Sequence, residues 1–357
     1  MRTILAVILL VSVGAHAQED EAEVLERLTG PSAWVTIPEG DLPVADAILL
    51  VAAQSHRMVG PLREPLEGKT WHSTGERMTF LQALDEVSQA AGTGFRVDEE
   101  SGIVCGGRPS PVAGHDGGFR FVLDEMDVYR TRGPGRDVAR SWAAVELLIE
   151  WEPHVQPVAF GRFEVLEATD DQGASLLPPE QPGENARISL MRRYHPSTTA
   201  RVLIAPPSPG SRRVALFRGR VAVYAERDTK EIIFLAPQDQ VGEVVEWEGC
   251  RLKLSGLSSS EGTVTATIDV LGDLPGLAGC DLPENGARDP AERIACRLGA
   301  DAVEGDLASG DLVAPDDYEL QYQWEEVGEA TCPLKVLITS RVVRRDLNVE
   351  LRDFEAP

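Results

Sequence analysis

The sequence predicts a small α+β unit followed by a mainly antiparallel β, sandwich-like region. Two observations carry that prediction. First, "LPVADAILLVAAQSH" from Leu42 and "MTFLQALDEVSQAAG" from Met78 both have helical apolar spacing. Laid over one another at an offset of 36, they put Ala47 on Ala83, Ile48 on Leu84 and Val51 on Val87. Second, beyond residue 118 apolar and polar residues alternate with period two, and turn-rich segments separate the runs.

The chain opens with an export signal by pattern. Arg2 gives a positive start, "ILAVILLVSVGA" an apolar run, and Ala15-His16-Ala17 a small-x-small cleavage site. The run is too short to span a bilayer, and no later stretch reaches that length. Residues 1–17 are therefore expected to be removed after Ala17, leaving a soluble periplasmic or extracellular chain. Residues 18–30 ("QEDEAEVLERLTG") read as a polar lead-in with a short helix.

Residues 31–106 read as one compact unit. "WVTI" (34–37) is a strand, and Val44, Ala47, Ile48 and Val51 form one helical face. "RMV" (57–59) and "KTWHS" (69–73) are strands. Phe80, Leu84 and Val87 form the second helical face, and "GFRVDEESGIVCG" is strand, turn, strand. One amphipathic helix on a two-stranded ribbon cannot bury its apolar face, whereas two such units sharing a sheet can. The doubling thus makes a single core.

"VTIPEGDLPVADAILLVAAQSHRMV" and "MTFLQALDEVSQAAGTGFRVDEESGIVCG", with Thr79, Phe80, Ala83, Leu84 and Asp85 filling the second helix signature, resemble the secretin and TonB N-terminal short domain. The resemblance covers residues 31–106 only. It implies a periplasmic domain that contacts other proteins and carries no catalytic residues. Members of that family continue into an outer-membrane barrel. This chain has too few residues after 106, and lacks the alternating lipid-facing band that a barrel needs.

"GGRPSPVAGHDGG" (106–118) has linker composition, with the linker itself placed at 107–118. The rest, 119–357, reads as β-sandwich, divisible at 119–236 and 240–357, and resembles β-sandwich regions of exported bacterial proteins. In "AAVELLIEW", Val145, Leu147, Ile149 and Trp151 face one side, and Glu146, Glu150 and the following Glu152 the other. "TVTATIDV" alternates Val264, Ala266, Ile268 and Val270 inward. "VVRRDLNVELRD" does the same with Val343, Leu347, Val349 and Leu351. Such one-sided alternation predicts antiparallel sheets packed face to face.

Removing Arg2 leaves 33 Lys+Arg against 58 Asp+Glu, a net charge of −25. That disfavours nucleic acid and anionic membranes as general partners and favours solubility. One stretch runs the other way: Arg187, Arg192, Arg193, Arg201, Arg212, Arg213, Arg218 and Arg220, with Arg227 and Lys230, stand against only Glu226 and Asp228. It reads either as the solvent side of strands paired with acidic neighbours or as a docking strip for an acidic partner.

Five cysteines follow the signal, Cys105, Cys250, Cys280, Cys296 and Cys332, and an exported compartment permits disulfides. The odd count leaves one over, and no C-x-x-C spacing suggests zinc or redox chemistry. Cys280 and Cys296 flank a Gly/Pro-rich stretch and a helix-like "DPAERIACR" with Asp289 as N-cap. They are the expected disulfide; the pairing of Cys105, Cys250 and Cys332 stays open.

Catalytic patterns are sparse. The histidines His56, His72, His115, His154 and His195 are isolated. His56 and His72 share the small unit, but two ligands without a third make a weak metal site. There is no G-x-S-x-G elbow, "SGLSSSEG" (255–262) reads as a hairpin turn, and "GPGRDVA" (133–139) lacks a dinucleotide-binding context. "ATDDQGA" and "APDDYE" lack EF-hand spacing and read as Asp-led turns. Trp151 and Trp247 fall in strand patterns that suit core or sheet flanks. The expectation is a non-enzymatic exported envelope protein, with no cofactor or metal, that contacts an envelope protein through a sheet edge or helix face. The alternatives are a glycan- or peptidoglycan-binding sandwich, marked by exposed coplanar tryptophans, and a cell-wall hydrolase, marked by two facing carboxylates.

Overall fold

The computed structural model describes residues 21–355 apart from 61–65, 99–101, 107–108, 110–111, 132–139, 153, 156, 178–196, 261, 273, 275–292, 300–302, 315–316 and 326–331. The fold is mainly antiparallel β. No helix among the described residues is long and apolar enough to cross a membrane.

The lead-in forms α1 (Glu21–Thr29), but it is not a free polar segment. Val24 is buried against Ala225 and Val343, with Leu25 and Leu28 packed beside it. The helix is thus a strap across two strands that lie some 200 and 320 positions further along the chain. Three apolar residues on one face of a short charged helix are enough to seat it.

Residues 34–105 hold three short antiparallel ribbons and two helices. β1 (Trp34–Thr36) pairs with β4 (Arg77–Thr79), β2 (Gly40–Pro43) with β3 (Thr70–Ser73), and β5 (Phe95–Asp98) with β6 (Gly102–Cys105). α2 (Val44–Gln54) and α3 (Phe80–Ala91) each begin directly after a short strand, 36 positions apart. The Thr79 hydroxyl caps α3 by accepting the Gln82 N–H at 3.3 Å. Gly92, at φ 62°, ends that helix in the left-handed region, where a side chain would be strained. Ala47, Ile48 and Val51 share one buried core with Ala83, Leu84 and Val87. The strand expected at 57–59 is a single parallel bridge from Val59 to Ile103.

Beyond lie three larger sheets. β7 (Ala113–Asp116), β8 (Phe119–Thr131), β9 (Arg140–Trp151) and β11 (Ser197–Ile204) form one, in the order β11-β9-β8-β7. β10 (Pro157–Asp170), β12 (Arg213–Phe234), β16 (Ile294–Leu298), β17 (Val303–Glu304) and β20 (Leu334–Glu355) form the second, in the order β10-β12-β20-β16-β17. The third is β13 (Val244–Trp247), β14 (Cys250–Ser260), β15 (Thr263–Leu271), β19 (Asp317–Trp324) and β18 (Asp306–Ala314), in that spatial order.

β12 and β20 have 22 residues each and pair from end to end, with register slips only between Glu226 and Thr229. On one side of the slips, 213–225 and 343–355 cover a core that includes Phe121, Leu147, Phe217 and Leu351. On the other side, 229–234 and 334–339 cover a second core that includes Phe234, Leu252, Ile268 and Val336. The inward residues of the three alternating runs are buried as the period requires.

Four expectations need correction. Residues 343–355 belong to the first sandwich, so the second is not made of 240–357 alone. The linker assigned to 107–118 contains β7, because Ala113–Asp116 pair with Phe119–Val122 of β8 in a tight hairpin; Gly114 also lets the backbone lie close to the Glu350 carbonyl. Of the stretch "DPAERIACR", expected as helix, residues 289–292 with Asp289 lie outside the described residues and Arg293 is helical, but from Ile294 to Leu298 the chain is a strand, since Ile294, Cys296 and Leu298 alternate into the second core. In "SGLSSSEG", residues up to Ser260 extend β14 rather than forming the turn, and β15 begins at Thr263.

Candidate functional site

The basic stretch resolves into cross-strand pairs where it is described. Arg218 reaches Glu350 at 2.7 Å and Glu167 at 2.9 Å, and Arg220 reaches Glu164 at 2.6 Å. These are register neighbours across β10, β12 and β20. Arg201 lies over the Tyr129 ring at 5.1 Å and donates to its hydroxyl, 3.8 Å from Glu146. Arg212 and Arg213 are exposed, and the Arg212 N–H donates to Asp171. Arg187, Arg192 and Arg193 lie outside the described residues.

Cys280 also lies outside them, while Cys296 and Cys250 sit buried in the second core. No disulfide is found among the described residues. His72 pairs with Asp41 at 2.8 Å on the surface, and His56 is exposed just past α2. No group of three metal-ligating side chains occurs among the described residues. Asp170 spends both carboxylate oxygens on backbone, accepting the N–H groups of Gln172, Ala174 and Ser208, which makes it a turn organiser. Trp71, Trp151 and Trp324 are core residues, and Trp247 packs against the second core. Tyr129 and Trp142 stack on each other across β8 and β9.

Two places stand out. The first is α2. Its inner face, Val44, Ala47, Ile48, Val51 and Ala52, is buried. Its outer face is apolar too: Leu49 is 57% exposed, Leu50 is 37% exposed, and Ala53 is exposed one turn on. Asp46 is the one charge on this face, one turn before Leu49 and Leu50. A helix so largely apolar is ordinarily enclosed on most sides, and here the described residues cover one. At its end the Gln54 side-chain amide both donates to and accepts from the Thr36 backbone at 2.9 Å, which occupies the outer edge of β1. Trp34, two residues earlier on β1, is exposed beneath the Arg77 guanidinium at 4.5 Å.

The second is a polar junction between these elements and the first sandwich. Asp85 of α3 receives the Arg120 guanidinium through two bonds, 2.7 Å to Oδ2 and 2.5 Å to Oδ1. The His115 Nε2 lies 2.7 Å from the same Oδ2. Arg120 also bonds Glu150. Burial alone would raise the Asp85 carboxyl, but hydrogen bonds from His115 and Arg120 outweigh it and hold the group below its ordinary value. A carboxylate so firmly ionised is a poor proton acceptor; this cluster holds elements together. Asp116 beside it bonds Arg345 and accepts the Asn348 N–H at 2.7 Å.

The chain between α1 and β1 is pinned next to this cluster. Thr29 O accepts from the Gly118 N–H at 3.1 Å and from Arg345 at 3.0 Å, and His154 Nε2 lies 3.0 Å from Gly30 O. A Cβ on Gly118 would stand 2.6 Å from the Gly30 carbonyl oxygen, so only glycine admits this approach. Glu152, expected on the solvent side, has a fully buried side chain. Its Oε2 accepts the Ser32 N–H at 2.8 Å, while Oε1 has no hydrogen-bond partner. Burial pushes the Glu152 carboxyl up, partly offset by Ser32, and pushes His154 down, partly offset by Gly30. No sequence signal pointed to Glu152, because its partner arrives from 120 positions away.

No protein-family model matches the chain, and no curated protein is similar to it in sequence.

Proposed function

We propose that the protein is an exported, non-enzymatic envelope protein that binds another protein through the outer face of α2. The observation that carries this reading is the helix itself, apolar on its buried face and, beyond Asp46, on its outer face too, where Leu49, Leu50 and Ala53 are exposed. An open apolar stripe at positions i, i+1 and i+4 is the form in which helices meet apolar surfaces of partners. Further support comes from the export-type amino terminus and from the resemblance of the doubled β-α-β unit to the secretin and TonB N-terminal short domain, which contacts proteins and carries no catalytic groups. The arginines of β12 support it indirectly. Glu164, Glu167 and Glu350 take up Arg218 and Arg220, so the strip offers less free positive charge than the sequence suggests.

The test is capture of partners from envelope extract by the full chain and by the Leu49→Ser, Leu50→Ser double variant. Both residues lie outside the core, so the variant should fold and melt as wild type does. The reading expects the variant to lose the captured protein and the wild type to keep it as salt is raised, because apolar contact is little screened. Capture that survives the double substitution and disappears with salt would move the contact to a charged face.

A further inference from the structure

We propose that residues 34–105 are held against the first sandwich by a charge clamp that can open, while α1 is fixed in place. The two attachments differ in chemistry. α1 is seated by buried apolar side chains, Val24 on Ala225 and Val343. Across the boundary of α3 and the sandwich the contact is polar. Asp85 meets Arg120 and His115, and Arg120 in turn meets Glu150. Among the described residues, the buried apolar cluster of 35–103 and that of the first sandwich share no member.

That difference decides which attachment can be reversed. Separating α1 would expose Val24 and the strand residues beneath it to water, with nothing gained in return. Separating α3 exposes Asp85, Arg120 and His115, all of which water solvates well. Arg120 keeps Glu150 as a partner on its own sheet, so opening strands no charge in an apolar place. Polar boundaries of this sort between units of one chain favour relative motion. Each end of 34–105 has a fixed point beyond it. α1 precedes it, seated by Val24, and β7 follows it, paired with β8 from Ala113 to Asp116. The unit would therefore swing between two anchored ends, and the clamp sets the direction in which α2 points relative to the long sheet. The inference is independent of what binds α2.

Small-angle scattering of the full chain tests it. Asp85→Asn and Arg120→Gln each remove one side of the clamp without touching either apolar core. The opened fraction should rise about tenfold or more, seen as a larger radius of gyration and maximum dimension, with circular dichroism and melting of the β region unchanged. Should either variant fail to fold, Asp85→Glu keeps the charge but misplaces it by one methylene. It should scatter as wild type at low salt and expand at high salt. If the folded variants scatter as wild type under all conditions, the unit is rigidly docked and the clamp is only structural glue.

Discussion

Glu152 and His154 stand a few ångströms apart, 3.8 Å between Oε2 and Nδ1, and their titrations are displaced in opposite directions. Glu152 has its folded value raised. Its contribution to stability is therefore fully present below the ordinary carboxyl value and is lost as pH rises through the raised one, so its charge is a cost at neutral pH. His154 has its folded value lowered; its contribution is present above the ordinary imidazole value and is lost as pH falls through the depressed one. The two contributions therefore oppose one another, acid favouring the seating of 29–32 through Glu152 and higher pH favouring it through His154. Glu152→Gln keeps an acceptor for the Ser32 N–H and drops the charge. It should stabilise the protein at neutral pH by about 1 kcal/mol or more, a gain that shrinks as pH falls through the carboxyl range. Urea melts at neutral and acid pH measure it; a destabilised variant at neutral pH would show that the charge is compensated, as by the Arg57 cation, whose charge draws the Glu152 carboxyl down. Glu152 also marks the limit of sequence reading at this scale. The alternation of Glu146, Glu150 and Glu152 fits a solvent face, and only the distant Ser32 changes the environment of the last of them.

Elements were legible where their pattern is local. The two helices follow from 3–4 spacing, and Ala47, Ile48, Val51, Ala83, Leu84 and Val87 all lie in the core that the spacing implies. The runs 264–270 and 343–351 bury the residues that period two selects. Glycine hid one local element: β7 looks like linker, yet it is a strand paired with β8 across a turn at Gly117 and Gly118. Elements decided by long-range partners were not legible either. β16 falls in a stretch that looks helical, and from Ile294 it is a strand paired with β20. The open face of α2 lay hidden in an excess of apolar residues, since sequence alone cannot say which side of such a helix the chain covers. The arginine-rich β12 shows the same limit: its acids come from β10 and β20. Because Arg218 and Arg220 lie at the solvent side, alanine at either should leave the melting temperature nearly unchanged, as exposed pairs contribute little. A large drop in calorimetry would mean that the ladder helps to fix the register of β12.

At the scale of the whole molecule, the two sandwiches share β12 and β20 rather than following one another. Residues 343–355 place Leu347, Val349, Leu351 and Phe354 in the first core. Losing side chains of this size costs about 2–5 kcal/mol each, so four of them cost roughly as much as the 5–15 kcal/mol that ordinarily holds a domain folded. A fragment of residues 119–236 should therefore show no cooperative melt, although its sequence looks like a complete sandwich. A sharp transition in that fragment would contradict the shared-strand arrangement. The same long pair of strands runs through both cores, and α1 is strapped across it at Ala225 and Val343. Whether α2 is the face presented to a partner is decided by placing a photo-crosslinking residue at Leu49 and, as a control, at the less exposed but open Ile233 of β12, in cells. If α2 is that face, position 49 gives one discrete protein adduct and position 233 none. An adduct from 233 alone, or equal labelling at both, would contradict it.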